Sequence, residues 1–349
     1  MKLGKPSQEV MRGTIGRLTG ATSAQILVGP SFGIDVSVLR IDNGKVMIVS
    51  CDPLSLIPSI GAEKSAVMSL YEVASDVATS GISPGYAAVD LNLPPHISDK
   101  AITKYWRSFH EACVELGMSI VGGHTGRFEG CDFSVVGSAT LWAFCGDEEY
   151  VTSGMAEDGD DLILTKSAAY GATSVLTRAF PHTVKKALGT SLFESAWKYF
   201  RNANIVKDAL TASSVGIHER GVTAMHDATE GGIIAALHEI ASASGLGGLI
   251  DLRNIPISDE TTQLCKFFRI DPLISLGEGS LVIASKPDRT KTITNKLDSK
   301  GINATVIGRL SSRTHGVYAT TKKGRIAVHY PTSDPYWRAY WRAVRKGWS

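Results

Sequence analysis

Long hydrophobic runs, a cysteine framework and a strong charge of one sign are all missing from this 349-residue sequence. No apolar run reaches the ~18 residues of a membrane span, and the first ten residues lack the apolar core of a signal peptide. The five cysteines are odd in number and irregularly spaced, so they signal neither a disulfide framework nor a zinc site. The formal charge of +2 argues against a nucleic-acid platform. These absences predict a reduced, cytoplasmic protein without a membrane span.

Glycine, in contrast, is abundant, with 35 residues placed in short loops between apolar runs. This distribution indicates many tight turns, some of which approach a ligand. Strand and helix signals alternate along both halves, which predicts an α/β protein of two domains. A polar, turn-rich segment at residues 156–160 suits the boundary. We therefore divide the chain into residues 1–157, residues 158–325 and a C-terminal helix within residues 326–349.

The C-terminal segment combines aromatic and basic residues at helical spacing. Asp334 is a plausible N-cap, and proline follows at the first helical position. The side chains predicted to share one face are Trp337, Tyr340, Trp341, Val344 and Trp348. The pattern favours a helix docked on the body of the protein or on a second subunit. A membrane-surface helix or a helix that binds a protein partner is the alternative.

Three separate turns in the first half each carry an aspartate. The first is a glycine-flanked loop, with Gly29, Ser31 and Gly33 before Asp35, whose backbone N–H groups could hold a phosphate. Asp52 follows an apolar strand, where ligand chemistry recurs in α/β proteins. Asp76 lies late in a predicted helix over residues 63–79, where its charge opposes the helix dipole. A surface turn, a turn cap and a solvated aspartate are the respective alternatives.

Two further segments could contact a ligand. After a predicted strand at residues 118–121, the glycines of residues 122–126 surround His124 and Thr125 and would let the backbone approach a phosphate. In the second half, His226 and Asp227 precede Thr229 and two glycines at a predicted helix start, where Asp227 or Thr229 could cap. The alternatives are a structural histidine and plain helix capping.

Taken together, the three aspartates are a more specific signal than any one alone. Mg²⁺ prefers carboxylate oxygens and shares its coordination with polyphosphate oxygens in nucleotide sites. The sequence contains neither a Walker A motif nor a protein-kinase signature. Any ATP site must therefore be of another kind.

Seven motifs, in this order, resemble the AIR synthase (PurM-like) superfamily, which includes thiamine-monophosphate kinase, selenophosphate synthetase and the hydrogenase-maturation carbamoyl dehydratase. They run from about residue 3 to about residue 310 and resemble the archaeal-type AIR synthase-related and hydrogenase-maturation branch most. The motifs are GIDVSVL, SCDPLS, ASDVATSG, VGGHTGR, DDLILTKSAAYGATSVLT, MHDATEGGIIAALHEIA and DPLISLGEGSLVIA.

This resemblance implies a two-domain fold of mixed α/β (α+β) class. It implies a homodimer whose N-terminal sheets combine into a barrel, and a C-terminal α/β sandwich. It also implies ATP bound with Mg²⁺, the metal ligands falling on Asp35, Asp52 and Asp76. The phosphate-binding positions implied are Gly29, Ser31, Gly33, Gly122, Gly123, His124 and Thr125.

Three departures distinguish the chain from the resembling families. Ile34 replaces a common acidic residue before Asp35, and Ser75 replaces a common asparagine before Asp76, which could reduce metal ligation. The hydrogenase-maturation enzyme carries its carbamoyl group on a terminal cysteine, whereas this sequence has no cysteine after Cys265. We therefore do not expect thiocarbamate dehydration of that type.

We expect an ATP- and Mg²⁺-dependent enzyme that activates an oxygen of a small substrate by phosphorylation. Lys166 could reach a phosphate, although we favour a solvated lysine at a strand end; His226 and Asp227 are the candidates on the substrate side. A small-molecule kinase of the thiamine-monophosphate type is the first alternative. A non-catalytic nucleotide-binding assembly protein, docking partners through the aromatic tail, is the second.

Overall fold

The computed structural model describes residues 6, 8–132, 134–322 and 324–349, and these residues form two sheets flanked by helices. The N-terminal sheet contains β1 (Ile26–Val28), β2 (Ser37–Asp42), β3 (Lys45–Leu56), β4 (Tyr86–Leu93), β5 (Ser119–Arg127) and β6 (Ser134–Gly146). The helices of this half are the short α1 (Gln8–Val10), α2 (Ala62–Ala78) and α3 (Asp99–Glu115). The strand order is β1-β2-β3-β6-β4-β5, and β4 and β5 are its parallel pair.

Only one face of the N-terminal sheet is covered. Helix α2 forms where the sequence predicts it, and Ala66, Leu70, Ala74 and Val77 are fully buried at three- and four-residue spacing. The opposite face of the sheet carries large apolar side chains that are exposed. They are Tyr86, Val121, Val135 and Phe144.

The glycine-rich segment at residues 122–126 is a strand, which corrects the prediction of a loop. It continues β5 to Arg127 along the edge of the sheet, paired with β4. A Cβ atom at Gly123 would overlap the carbonyl oxygen of Val89, so glycine there permits close pairing of the two strands. Phe133, at which the next predicted strand begins, lies outside the described residues.

The C-terminal half forms a second sheet, in which β9 and β12 are the parallel pair. Its order is β13-β12-β9-β11-β7-β10-β8, where the strands are β7 (Asp161–Thr165), β8 (Val222–Asp227), β9 (Gly247–Ile250), β10 (Leu281–Ser285), β11 (Ala304–Ser311), β12 (Gly316–Thr321) and β13 (Gly324–Val328). The helices are α4 (Tyr170–Ala179), α5 (Pro181–Leu188), α6 (Thr190–Trp197), α7 (Val206–Ser213), α8 (Gly232–Ala243), α9 (Asp259–Phe268), α10 (Thr290–Ser299) and α11 (Pro335–Arg345). Strand β13 crosses the boundary predicted between residues 325 and 326, so this sheet extends beyond it.

The two halves share one hydrophobic core. Val73 and Val77 of α2 belong to the same buried cluster as Val206 of α7 and Met225 of β8. Replacing such a fully buried residue by alanine typically costs roughly 2–5 kcal/mol, less for valine than for leucine. This shared core fixes the residues of α2 against the carboxyl end of β8, where the candidate site lies.

Helix α11 packs on its own chain. Asp334 caps it as predicted, accepting a hydrogen bond from the backbone N–H of Tyr336 at 2.8 Å. The face predicted from the sequence is partly wrong, because Val344 is exposed while Tyr336 and Ala343 are buried. The aromatic residues of α11 contact Phe180 and the region of α9. No helix in the described part of the chain is long and apolar enough to cross a membrane.

Candidate functional site

Asp35, His226 and Asp227 converge from the two halves of the chain. One potential ligand atom from each lies within 4.8 Å of the others. Asp35 follows the glycine-flanked loop, and Gly33 has a φ of 81° and lies so close to the Glu239 carbonyl that a Cβ atom would overlap it. Glycine at this position therefore allows the loop to contact α8 and brings Asp35 to the end of β8.

His226 bridges two carboxylates. Its Nδ1 lies 2.7 Å from Asp35 Oδ1, and its Nε2 lies 2.9 Å from Glu239 Oε2. Burial alone lowers the pKa of His226, but Asp35 and Glu239 outweigh that effect and raise the pKa well above its usual range. The Tyr330 hydroxyl donates to the other oxygen of Glu239 at 2.8 Å. The raised pKa favours the protonated imidazole, and its contacts with Asp35 and Glu239 tie the N-terminal loop to α8.

Further carboxyl groups lie near Asp35 and Asp227. Burial and the like charges of their neighbours raise the pKa values of three of these groups. Burial and the charges of Asp227, Asp52 and Asp35 raise the pKa of Asp76 well above its usual range, although Ser50 donates to it at 2.8 Å. Burial and the charges of Asp52 and Asp227 raise the pKa of Glu72 to about 8. Burial, followed by the charge of Glu72, raises the pKa of Glu278. We call these residues the acidic cluster: Asp35, Asp52, Glu72, Asp76, Asp227 and Glu278.

The chemistry of the acidic cluster suits a hard divalent cation. Carboxylate oxygens are the preferred ligands of Mg²⁺, and a bound cation would favour their charged forms. Without a cation, some of these carboxyl groups are protonated near neutral pH, because like charges this close oppose ionisation. All three aspartates expected to bind metal, Asp35, Asp52 and Asp76, belong to this cluster. The three residues whose potential ligand atoms lie within 4.8 Å of one another, however, are Asp35, His226 and Asp227.

Sequence reasoning missed Glu72 and Glu278. Glu72 precedes Asp76 by one helical turn, and the spacing of four residues places both side chains on one face of α2. That spacing was the available signal. Glu278 lies between two glycines before β10, and a Cβ atom at Gly171 would contact it, so its position depends on the packing of α4. Nothing local in the sequence identifies that contact.

The predicted phosphate-binding residues separate into two groups. Gly29, Ser31 and Gly33 precede Asp35 directly, so they border the acidic cluster. The second group lies on β5, which is three strand spacings, roughly 14 Å, from the β3 strand that carries Asp52. It consists of Gly122, Gly123, His124 and Thr125, all exposed. Within one chain, the sheet therefore keeps this second group away from Asp52.

Lys166 is not the solvated lysine that one of our interpretations expected. Its ammonium group donates to the backbone carbonyls of Asn204 at 2.7 Å and Gly279 at 2.6 Å. It also lies 2.9 Å from Asp208 Oδ2, and its side chain is only 12% exposed. These three contacts use the donors of the ammonium group, so Lys166 joins three segments of the C-terminal domain.

The loop after Asp227 is braced by α11. Gly231 is the N-cap of α8 and forms no side-chain cap, so the predicted capping by Asp227 or Thr229 is wrong. The Gly231 N–H donates to Asp334 at 2.9 Å, and the Trp337 indole N–H donates to Glu230 at 2.8 Å. These bonds fix the loop that follows Asp227.

Comparison with known protein families assigns both halves of the chain. Residues 33–141 match the model of the AIR synthase related protein, N-terminal domain, and residues 157–319 match its C-terminal domain. A putative hydrogenase expression/formation protein of Methanocaldococcus jannaschii is 26% identical over 267 residues, which cover 75% of this chain and 74% of that protein.

Two solved structures share the fold. A hydrogenase maturation protein HypE in complex with ATP matches with a TM-score of 0.68 and 18% identity, covering 93% of this chain and 91% of that one. The protein AaThiL complexed with AMPPCP and TMP also matches with a TM-score of 0.68 and 18% identity, covering 86% and 90%. The two-sheet architecture is therefore that of PurM-like proteins.

Proposed function

Because the chain belongs to the AIR synthase related protein family, we propose that it is an ATP- and Mg²⁺-dependent enzyme that activates an oxygen atom of a small substrate by phosphorylation. The observation that carries this proposal is the acidic cluster, in which carboxylates from both domains crowd until the pKa of Glu72 is raised to about 8. Crowded carboxylates destabilise the folded protein unless a cation binds them, so the crowding indicates a functional cation site.

We assign Mg²⁺ to Asp35, Asp52 and Asp76, with Glu72 as an additional acidic neighbour. Bound Mg²⁺ neutralises charge on phosphate oxygens during phosphoryl transfer. The backbone N–H groups near Gly29 and Gly33 border the same cluster and would hold phosphate oxygens. Nucleotide binding has support from two proteins of the same fold, of which one was solved with ATP and one with AMPPCP.

We assign different roles to the two residues expected on the substrate side. Both ring nitrogens of His226 face carboxylates, so the protonated ring has no lone pair with which to accept a proton. His226 is therefore a positioning residue that orients Asp35 and Glu239. Asp227 remains the candidate for contact with the substrate, since it belongs to the acidic cluster and the loop that follows it is fixed by a hydrogen bond to Asp334.

A homodimer would complete the site. The exposed apolar face of the N-terminal sheet, with Val121 at 55% and Val135 at 58% exposure, needs a cover. Joining two such faces would bring β5 of one subunit towards its partner, giving His124 and Thr125 access to a nucleotide there. We expect analytical ultracentrifugation to show a dimer that Val135→Glu dissociates; a monomeric wild type would contradict this assignment.

A direct kinase is the second candidate, supported by the similarity to AaThiL complexed with AMPPCP and TMP. Activation and direct phosphorylation differ in the fate of the substrate oxygen. In an activating enzyme, an ¹⁸O label on the substrate's carbonyl or amide oxygen ends in inorganic phosphate. In a kinase, the label stays in a phosphorylated product. We favour an enzyme over an assembly protein because the aromatic face of α11 is already packed within the chain.

The test is ADP formation from ATP and Mg²⁺ across a panel of carbonyl, amide and hydroxyl acceptors, with ¹⁸O analysis of the phosphate. Asp76→Asn is expected to abolish acceptor-stimulated turnover. Asp288→Asn is the matched control, since Asp288 is exposed in the C-terminal domain and pairs only with its neighbour Arg289 within the described residues. Turnover that persists in Asp76→Asn, or that no acceptor stimulates in the wild type, would refute the proposal.

A further inference from the structure

A second cleft opens between the domains, next to the acidic cluster, and Lys166, which lines it, donates to Gly279 beside Glu278. It has a volume of about 1310 Å³ and lies between the ends of α2 and α3 on one side and α6, α7 and α10 on the other. Pockets for small molecules typically measure roughly 300–1,000 Å³, so this cleft can admit a ligand of nucleotide size with some solvent.

Aromatic side chains form one wall of the cleft. The rings of Tyr170 and Tyr199 lie with centroids 4.5 Å apart at an angle of 32°. Tyr199 is held by its hydroxyl, which donates to Ser258 at 2.5 Å. A ring fixed in this way offers a rigid face on which a planar group can stack.

The floor of the cleft contains Ser167, which is only 7% exposed and whose hydroxyl lies beside that of Tyr199.

The rim of the cleft is positive. The buried pair of Lys166 and Asp208 cancels, which leaves two carboxylates, Glu115 and Glu260. Five exposed cations face them: Lys198, Arg201, Lys207, Lys296 and Lys300. Among residues 6, 8–132, 134–322 and 324–349, none of these five pairs with a carboxylate at salt-bridge distance. Such a rim favours an anion.

We propose that this cleft is a second binding site, for a phosphorylated metabolite that carries a planar ring. The ring stacks on Tyr199, and the phosphate contacts the cations near Arg201 and Lys300. This ligand needs no Mg²⁺, because the charge that receives its phosphate comes from side chains. The site is therefore separate from the acidic cluster and does not depend on the proposed function.

The probe is AMP, titrated by calorimetry into the full-length protein in EDTA, with inorganic phosphate and adenosine as separate arms. We expect saturable AMP binding and at least ~10-fold weaker binding of phosphate or adenosine alone. The Arg201→Glu/Lys300→Glu double variant, changed only at exposed positions, should bind AMP at least ~10-fold more weakly. Tyr199→Ala should lose at least ~5-fold, and Tyr199→Phe should not.

Lys186→Glu is the control, since Lys186 is an exposed cation on α5 outside the cleft. It should bind AMP as the wild type does. The proposal is overturned if AMP fails to saturate, if the double variant binds AMP like the wild type, or if phosphate alone binds as tightly as AMP. It is also overturned if Asp76→Asn, rather than the double variant, removes AMP binding.

Discussion

The acidic cluster and the cleft with the positive rim, which we call the basic cleft, border each other. Their charged groups differ in burial. The boundary between them is narrow: Lys166 lines the cleft and donates to Gly279, which follows Glu278 of the cluster. In the cluster, carboxylates are buried or partly buried and lie among like charges, so ionisation is unfavourable. In the cleft, the unpaired cations are exposed and solvated. Burial of the charged groups, more than their number, therefore decides which region needs a bound ion.

This contrast predicts different responses of the two regions. A divalent ion and pH should act on the cluster, where the pKa of Glu72 is raised to about 8. Salt should act on the cleft, because interactions between exposed charges are screened within roughly 8–10 Å at ordinary ionic strength. Substitutions in the acidic cluster and in the loop beside it can test these responses.

Removing the His226 imidazole, which lies between Asp35 and Glu239, should have the largest effect. His226→Ala would leave Asp35 and Glu239 without the ring that joins them, in a site where His226 and Glu239 are both under 5% exposed. Breaking a buried pair by removing one partner costs roughly 3–5 kcal/mol. Urea unfolding in EDTA measures this loss. His182→Ala, at an exposed position on α5, is the control, and equal losses in the two variants would show that the bridge contributes nothing.

Removing one carboxylate of the cluster should separate activity from stability. Asp76→Asn is expected to reduce turnover of MgATP to the rate without enzyme, a loss of at least ~100-fold, which is equivalent to roughly 2.7 kcal/mol. The same change should raise the melting temperature in EDTA, since it removes a carboxyl group whose pKa is raised by burial and by like charges. Calorimetric melting with and without Mg²⁺ tests this. A lower melting temperature in EDTA would contradict the crowding argument.

The raised pKa of Glu72 sets the sign of a pH effect. In the unfolded chain this carboxyl group ionises near pH 4.5, whereas in the folded protein its pKa is about 8. Its contribution to stability is therefore complete below pH 4.5 and is lost as pH rises to about 8. In EDTA we therefore expect the free energy of unfolding to fall over this range. Glu72→Gln should flatten the decline, and Mg²⁺ should oppose it; a rise in stability from pH 5 to 8 would contradict the assignment.

The smallest effect concerns the hydrogen bond that Trp337 of α11 donates to Glu230, in the loop that follows Asp227. Trp337→Phe keeps the aromatic packing but removes the bond to Glu230, which measures 2.8 Å. A hydrogen bond of this kind contributes about 1 kcal/mol, so KM for the substrate should rise roughly 3- to 5-fold while kcat changes little. Trp341→Phe is the matched control. Identical kinetics in both variants would show that the brace does not hold the loop.

Local signals in the sequence were sufficient for part of this account. The helix predicted over residues 63–79 is confirmed by α2, which spans Ala62–Ala78. Three aspartates selected from the sequence, Asp35, Asp52 and Asp76, are members of the acidic cluster, although Asp52 lies within β3 and Asp76 within α2 rather than at a strand end or a turn. Family resemblance correctly indicated the two-domain PurM-like fold.

The remaining features depend on contacts between distant segments. The glycines at residues 122–126 suggested a loop, whereas close pairing with Val89 of β4 makes the segment a strand. Lys166 donates to carbonyls 38 and 113 residues away, which no local pattern reveals. The position of Glu278 likewise depends on α4, so the full set of carboxylates becomes visible only in three dimensions.

The central claim is that the acidic cluster binds a divalent ion together with ATP, and calorimetric titration of ATP tests it most directly. We predict saturable ATP binding in Mg²⁺, at least ~100-fold weaker binding in EDTA, and loss of the Mg²⁺ dependence in Asp76→Asn. ATP binding of equal strength with and without Mg²⁺, or unchanged Mg²⁺ dependence in Asp76→Asn, would contradict it.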